Sequence, residues 1–312
     1  MPLFLLPGTV IKAQSGFFTV RTDIGEFVCH LRGRLKQQKQ STDLIAVGDR
    51  VQISVQPDGG GMIETIAPRR SVLSRKAPSG YGAGSLRRSE GEAEQVLVAN
   101  PDQVVLVFAC AEPAPRLGML DRYLVITECA GLPAVICANK TDLVVREAAE
   151  KLFGLYAPLG YSVVYTSAQT GAGIPELRAQ LQDKLSVFTG PSGVGKSSLL
   201  NALQPGLGLK ARAVSLATYK GRHTTVHPEL FSLDKTSLVA DTPGLRTLDL
   251  WDIEAEELDG YFVEIRPYVS QCAFNNCTHV NEPGCAVRNA VAKGEIALSR
   301  YESYCRLRAE DA

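Results

Sequence analysis

The sequence predicts an α/β protein with a small β-barrel in front of it and a helical, cysteine-bearing segment behind. Three observations carry that prediction. Between residues 8 and 75, short runs rich in aromatic and β-branched residues alternate with glycine and aspartate breaks, with no helical period. From residue 99 to 250, apolar strands alternate with helical patterns, the signature of a parallel sheet with helices on both faces. After residue 251 the chain turns acidic and gathers three cysteines and a histidine within fourteen residues. The 312 residues are therefore expected to divide into a barrel (1–72), a linker or mobile loop (73–98), an α/β domain (99–250) and a helical C-terminal domain (251–312).

Composition limits the function classes. Hydrophobic residues make up 45% and charged residues 21%, which excludes a wholly disordered chain. No apolar run approaches the roughly 20 residues of a membrane helix, and MPLFLLPGTV lacks the basic flank of a secretory signal. Thirty-three basic residues balance thirty-three acidic ones, but unevenly. Residues 1–90 hold thirteen Lys/Arg against seven Asp/Glu, 91–250 hold fourteen against fifteen, and 251–312 hold six against eleven. A neutral chain with a basic front end can meet a polyanion there. Cys29, Cys110, Cys129 and Cys137 lie in apolar runs and read as buried thiols of a reducing, cytoplasmic compartment.

The barrel strands are FFTV (17–20), EFVCHL (26–31), VGDRVQISV (47–55) and MIETI (62–66), the last two separated by the turn PDGGG. Their number and spacing fit an OB-type barrel, a common oligonucleotide platform, although a barrel alone is also a packing module. SRKAPSGYGAGSLRRSEG (74–91) carries the linker composition. QVVLVFAC (103–110), PAVICA (133–138), YSVVYT (161–166), SVFTG (186–190) and TSLVAD (236–241) are the strands of the sheet. Helical patterns follow at 119–131, 146–160, 174–185 and 197–203. A C-terminal helix is expected over 285–310, with Gly294 as a break or kink.

The strongest motif is GPSGVGKS, Gly190 to Ser197, between an apolar strand and a helix. In that context it is a phosphate-binding loop. The backbone N–H groups of Ser192, Gly193, Val194, Gly195, Lys196, Ser197 and Ser198 would face a polyphosphate, Lys196 would neutralise its β- and γ-phosphates, and Ser197 would ligate Mg²⁺. NKTD after a buried strand supplies a base reader. Asp142 can accept from guanine N1–H and N2–H₂, Asn139 can hold the ring edge and the motif together, and the Lys140 stem can cover a base face. In isolation NKTD is also an ordinary surface turn. TSA offers Ser167 and the Ala168 N–H beside guanine O6. DTPG ends the last strand, with Asp241 toward Mg²⁺ through water and the Gly244 N–H toward a γ-phosphate. GRHTT (221–225) falls where a loop contributing Thr225 to Mg²⁺ belongs. Together these residues predict a guanine-nucleotide site for GTP or GDP.

Their order is unusual. An ordinary GTPase domain runs phosphate loop, threonine loop, DxxG, NKxD, TSA; here NKTD and TSA come first. Joining the usual ends and cutting after DxxG produces this order with the same spatial site. The chain thus resembles a known family of circularly permuted GTPases, the ribosome small-subunit-dependent GTPase A family. The resemblance rests on the OB-type front, the order NKTD–TSA–GPSGVGKS–GRHTT–DTPG, and a C-terminal C-x₄-C-x-H-x₅-C. It implies GTP hydrolysis coupled to late maturation of the small ribosomal subunit, with binding to that subunit and its rRNA and release after hydrolysis. No membrane partner and a monomeric state are expected. Leu245 follows DTPG where a Gln would orient the attacking water. The resemblance and the GRHTT loop point to His223 in that role, a solvated loop histidine being the alternative. Gly193 stands where potassium-stimulated relatives carry an Asn.

CAFNNCTHVNEPGC places Cys272, Cys277, His279 and Cys285 at spacings that can close a tetrahedral Zn²⁺ site with no open position, hence one structural metal. A disulfide pair or free thiols are the alternatives. Phosphate contacts to RNA are expected from Arg32, Arg34, Lys36, Arg87 and Arg88, with Phe17, Phe18 or Phe27 stacking on bases if exposed.

Overall fold

A computed structural model describes residues 5–36, 44–76, 94–206, 229–241 and 253–310. The front of the chain forms β1 (Leu5–Gln14), β2 (Phe17–Thr22), β3 (Gly25–Leu31), the one-turn helix α1 (Gly33–Lys36), β4 (Arg50–Val55) and β5 (Gly61–Ile66). They lie in the order β1–β2–β3–β5–β4, and β4 pairs back onto β1 to close a five-stranded barrel. Val10, Val20, Cys29, Val51, Ile53 and Ile63 fill it. The alternation in EFVCHL does this work: Cys29 and Leu31 point inward while Val28 and His30 face out.

β1 has no counterpart among the strands expected from the sequence, and it carries a bulge. The β1–β2 ladder steps from Val10↔Val20 to Lys12↔Thr19, leaving Ile11 as an extra residue. Val10 belongs to the barrel core and Ile11 to the core of the α/β domain. One strand thereby serves two cores. Beyond the bulge, Lys12 pairs with Glu229 at the start of β12 (Glu229–Ser232), joining barrel and α/β sheet edge to edge.

The span expected to be a linker begins and ends in strand. β6 (Val72–Lys76) and β7 (Glu94–Ala99) pair antiparallel as a two-stranded sheet. Its base is tied to the barrel: the Ala99 N–H donates to Val47 O at 2.8 Å, and Asn100 Nδ2 donates to Gly48 O at 3.1 Å. Arg69 holds the buried Asp49 carboxylate through two 2.8 Å bonds.

The α/β domain comprises β8 (Gln103–Ala109), α2 (Leu117–Cys129), β9 (Ala134–Asn139), α3 (Arg146–Phe153), β10 (Ser162–Tyr165), α4 (Ile174–Leu181), β11 (Leu185–Thr189), α5 (Lys196–Leu203) and β13 (Leu238–Asp241). β10–β9–β8–β11–β13 are parallel, and β12 adds an antiparallel edge. Every residue of β8 is buried, and alternate residues enter two cores. Val104, Leu106 and Phe108 pack with α2 and α3; Val105, Val107 and Ala109 pack with α4 and α5. Each such aliphatic side chain contributes about 1.5–3 kcal/mol by leaving water.

The C-terminal domain holds the short helices α6 (Leu258–Tyr261) and α7 (Arg266–Val269), then α8 (Ala286–Ala292) and α9 (Leu298–Glu310), which are separated around Gly294. It shares a core with α2 through Phe262, Ile265, Tyr304 and Leu307. Within that contact Arg300, 1% exposed, reaches Asp121 at 2.6 Å and Glu264 at 2.5 Å, and the Tyr156 hydroxyl donates to Asp121 at 2.7 Å. The guanidinium lies 4.6 Å above the Phe262 ring. Burial works against its charge, but the two carboxylates outweigh that and raise its pKa further. Removing one partner of such a buried group costs about 3–5 kcal/mol. No helix among the described residues is long and apolar enough to cross a membrane.

Candidate functional site

Because the five central strands are parallel, their C-terminal ends share one sheet edge, where ligands of open α/β sheets bind. NKTD follows β9, TSA follows β10, GPSGVGKS follows β11, and Asp241 ends β13. Chain order is irrelevant to this convergence, so the permuted motifs meet in space.

Asn139 is the hub. It is 1% exposed. Its Nδ2 donates to Val194 O of the phosphate loop at 2.8 Å, and its Oδ1 accepts from Thr166 Oγ1 at 3.1 Å and from the Ala168 N–H at 3.4 Å. One amide thus joins three motifs. A Cβ on Gly195 would sit 2.5 Å from that same Nδ2, and Gly195 has φ +97°, so only glycine allows the approach. Ser167 donates to Asp142 Oδ1 at 2.5 Å, which fixes the carboxylate that would face the base. Lys140 takes the left-handed conformation at φ 62°, and its ammonium donates to Glu112 O.

The phosphate loop has the shape its sequence requires. β11 is fully buried, the loop turns at Gly190, and α5 begins at Lys196, so the first N–H groups of α5 point out of the loop. Lys196 Nζ donates to Gly190 O at 2.7 Å and Pro191 O at 2.8 Å, which holds the ammonium at the loop. Ser192, Gly193 and Ser198 are exposed, and Ser197 is half-buried at the helix start. Such a cradle of N–H donors with one cation can receive a polyphosphate. A cavity of about 330 Å³ adjoins it, lined by Phe108, Pro113, Met119, Tyr123 and Pro191. For Asp241 the structure gives only its backbone place, opposite Phe188 and Glu229. Thr225, Gly244, Leu245 and His223 lie outside the described residues.

The second cluster is at the far end of the chain. The ligand atoms of Cys272, Cys277, His279 and Cys285 all lie within 4.8 Å of one another. His279 Nδ1 is 3.5 Å from both Cys272 Sγ and Cys285 Sγ. Bonds of about 2.3 Å to sulfur and 2.0 Å to nitrogen give tetrahedral edges of about 3.6 Å, so this donor set fits a closed metal site. Burial pushes the Cys277 thiol up to about 12, helped by its neighbours' thiols. At Cys272 burial also opposes ionisation, but the N–H groups of Ala286 and Val287, the Cys277 thiol and His279 outweigh it and lower the pKa.

Sequence reasoning missed the support of this cluster. Asp259 Oδ2 lies 3.0 Å from His279 Nε2, the carboxylate partner that ligating histidines use to fix ring and tautomer. Glu282 caps the ligand loop, accepting from the N–H groups of Thr278 at 2.9 Å and of Val280 and Asn281 at 3.1 Å. Tyr301 and Tyr304 donate to His279 O at 2.7 Å and Thr278 O at 2.9 Å. Asp259 stands twenty residues before its histidine in the four-residue helix α6, where nothing in the sequence marks it.

Among the basic residues expected to meet RNA, Arg32 is bound to the buried Glu64. Arg87 and Arg88 and the side chains of Arg34 and Lys36 lie outside the described residues. Phe18 and Phe27 pack against the barrel core, whereas Phe17 is half exposed with its ring 4.7 Å from that of His30.

Comparison with known proteins covers nearly the whole chain. The model of the RsgA GTPase family matches residues 66–251, and that of the RsgA N-terminal domain matches residues 7–63. The chain is 47% identical over 307 residues to the small ribosomal subunit biogenesis GTPase RsgA of Gemmatimonas aurantiaca, covering 97% of this chain and 96% of that one. It is 43% identical over 305 residues to the RsgA of Moorella thermoacetica, covering 98% and 97%. Among solved structures, YjeQ from Thermotoga maritima superposes with a TM-score of 0.77 at 38% identity over 99% of both chains. YloQ, described as a circularly permuted GTPase, gives 0.74 at 33% identity over 99% of this chain and 95% of that one.

Proposed function

The chain belongs to the RsgA GTPase family, and on that footing we propose how its residues carry the family's work on the small ribosomal subunit. It is a GTP hydrolase of small-subunit biogenesis. The observation that carries the residue assignment is the Asn139 amide, which ties the base reader, the TSA loop and the phosphate loop into one cradle. Asp142 selects guanine, with Asn139, Lys140, Ser167 and Ala168 around the base. Gly190 and Ser192 to Ser198 hold the phosphates, the Gly244 N–H meets the γ-phosphate, and Lys196 neutralises charge that develops in hydrolysis. Mg²⁺, which neutralises the β- and γ-oxygens when bound, would be held by Ser197, Thr225 and Asp241.

The barrel and the basic span behind it bind rRNA, and the C-terminal domain is stapled by one Zn²⁺ on Cys272, Cys277, His279 and Cys285. We keep the division 1–72, 73–98, 99–250 and 251–312 as the functional units of a monomeric cytoplasmic protein. GTP fixes these units in the subunit-binding arrangement, and hydrolysis releases them. Since Leu245 cannot orient water, intrinsic turnover is slow and the subunit completes the site by bringing His223 to the attacking water.

Multiple-turnover phosphate release, with and without purified small subunits and with ATP as competitor, tests this reading. The subunit should raise turnover at least tenfold while ATP fails to compete, and His223→Ala should lose most of that stimulation with GTP affinity nearly unchanged. Turnover that stays negligible with subunits would make the site an occupancy switch. Full stimulation of the variant would return His223 to an ordinary loop residue.

A further inference from the structure

A groove of about 770 Å³ runs along the seam between the barrel and the β12–β13 hairpin. Arg21, Arg50 and Lys235 line it together with the hydroxyls of Thr9, Thr65 and Thr236 and a single carboxylate, Asp23. The state of the barrel's cations singles this groove out. Lys12 is paired with Glu229, Arg32 with Glu64, Arg69 with Asp49 and Arg70 with Asp102. Arg21 spans the seam, donating to Ser232 Oγ and, at 3.1 Å, to the carbonyls of Asp234 and Lys235. Arg50 and Lys235 are exposed and make no ion pair among the described residues, and both line the same groove, Arg50 from β4 and Lys235 from the turn between β12 and β13.

We propose that this groove binds the phosphate backbone of an RNA strand, with Arg50 on the barrel wall and Lys235 on the hairpin wall each taking a phosphate. The inference rests on the small-subunit reading above and adds a place to it. Phosphate oxygens are met by Arg, Lys and Thr side chains, which the polar part of this lining supplies on both sides of the seam. The walls belong to different units. The hairpin joins the GRHTT loop to the DTPG strand end in sequence, so a strand lying in the groove holds the barrel to the segment between the two phosphate-sensing loops. RNA bound here touches the nucleotide machinery's neighbour without touching the nucleotide.

The test measures affinity of the full chain, loaded with a nonhydrolysable GTP analogue, for purified small subunits across a salt series at fixed magnesium. Arg50→Gln and Lys235→Gln should each weaken binding and reduce the slope of log affinity against log salt by about 0.7–0.9, and the double variant by about twice that. Lys151→Gln, at an exposed position of α3, should keep the parent slope. Arg50→Lys keeps the charge and should also keep the slope, which separates loss of a phosphate contact from loss of folding. Parent slopes in the two Gln variants would overturn the proposal, as would weaker binding at an unchanged slope, which would point to a ribosomal protein in the groove. If the parent itself does not bind subunits, the functional reading fails instead.

Discussion

Asn139 and His279 are both buried polar side chains at the centre of a cluster, and the fold leaves them in different states. Both ends of the Asn139 amide are satisfied by Val194, Thr166 and Ala168 before any ligand arrives. His279 is satisfied at one end only: Asp259 takes Nε2, while Nδ1 faces two sulfurs, which are weak hydrogen-bond partners. The nucleotide corner is therefore a site that the fold holds. The cysteine cluster, as a metal site, would instead hold the fold, because three thiol groups packed together gain a strong common partner only when a cation enters.

That difference can be broken most forcefully at the cysteines. Cys277→Ser, or chelation of the parent, should remove one equivalent of zinc by elemental analysis and unfold residues 253–310 as read by hydrogen exchange. Structural zinc contributes on the order of 10 kcal/mol to small metal-stapled domains. Guanine-nucleotide binding should survive, since the base and phosphate corner is closed by its own hydrogen bonds. Freshly prepared, unchelated protein without zinc would sink the assignment. A smaller effect is expected at the base reader. Asp142→Asn should lower GTP affinity about 100-fold, about 3 kcal/mol for two charge-assisted bonds, and should improve binding of xanthosine triphosphate. An unchanged preference for GTP would remove NKTD from the base. The smallest effect belongs to the outer support of the metal. Asp259→Asn keeps a hydrogen bond to His279 but loses the charge, so zinc affinity should fall about tenfold with the domain still folded in excess zinc. A loss as complete as that of Cys277→Ser would make Asp259 a ligand rather than a support.

The same contrast explains how much could be read in advance. GPSGVGKS and NKTD were legible because each lies directly after an apolar strand, and a local run of residues fixes both strand and loop. The hub that joins them was only half legible: Asn139 could be assigned a binding role, but its bond to Val194 spans fifty-five positions and leaves no pattern in either segment. The β1–β12 joint was missed for the same reason, since a one-residue bulge at Ile11 redirects a strand without altering its composition. Arg300 sits in SRYESYCRLRAE, a run that reads as a solvated helix face, yet it is the most deeply buried cation described, because its partners come from α2 and from Glu264. Charge signals exposure in a sequence window. It signals nothing about a carboxylate that arrives from 179 residues away.

The pairing of Lys12 with Glu229 has a consequence for how the protein is made. A chain leaving the ribosome can close the barrel once residue 66 has emerged, because every barrel strand lies before it. The strand that completes its seam arrives about 160 residues later, at synthesis rates of about 5–20 residues per second an interval of roughly 8–30 s. Through that interval the distal half of β1, with Ile11 facing outward and the Lys12 edge unpaired, is open to any strand that passes. The nascent barrel thus spends its first seconds as an unfinished sheet edge, and that edge is where premature pairing between neighbouring chains on one messenger would begin.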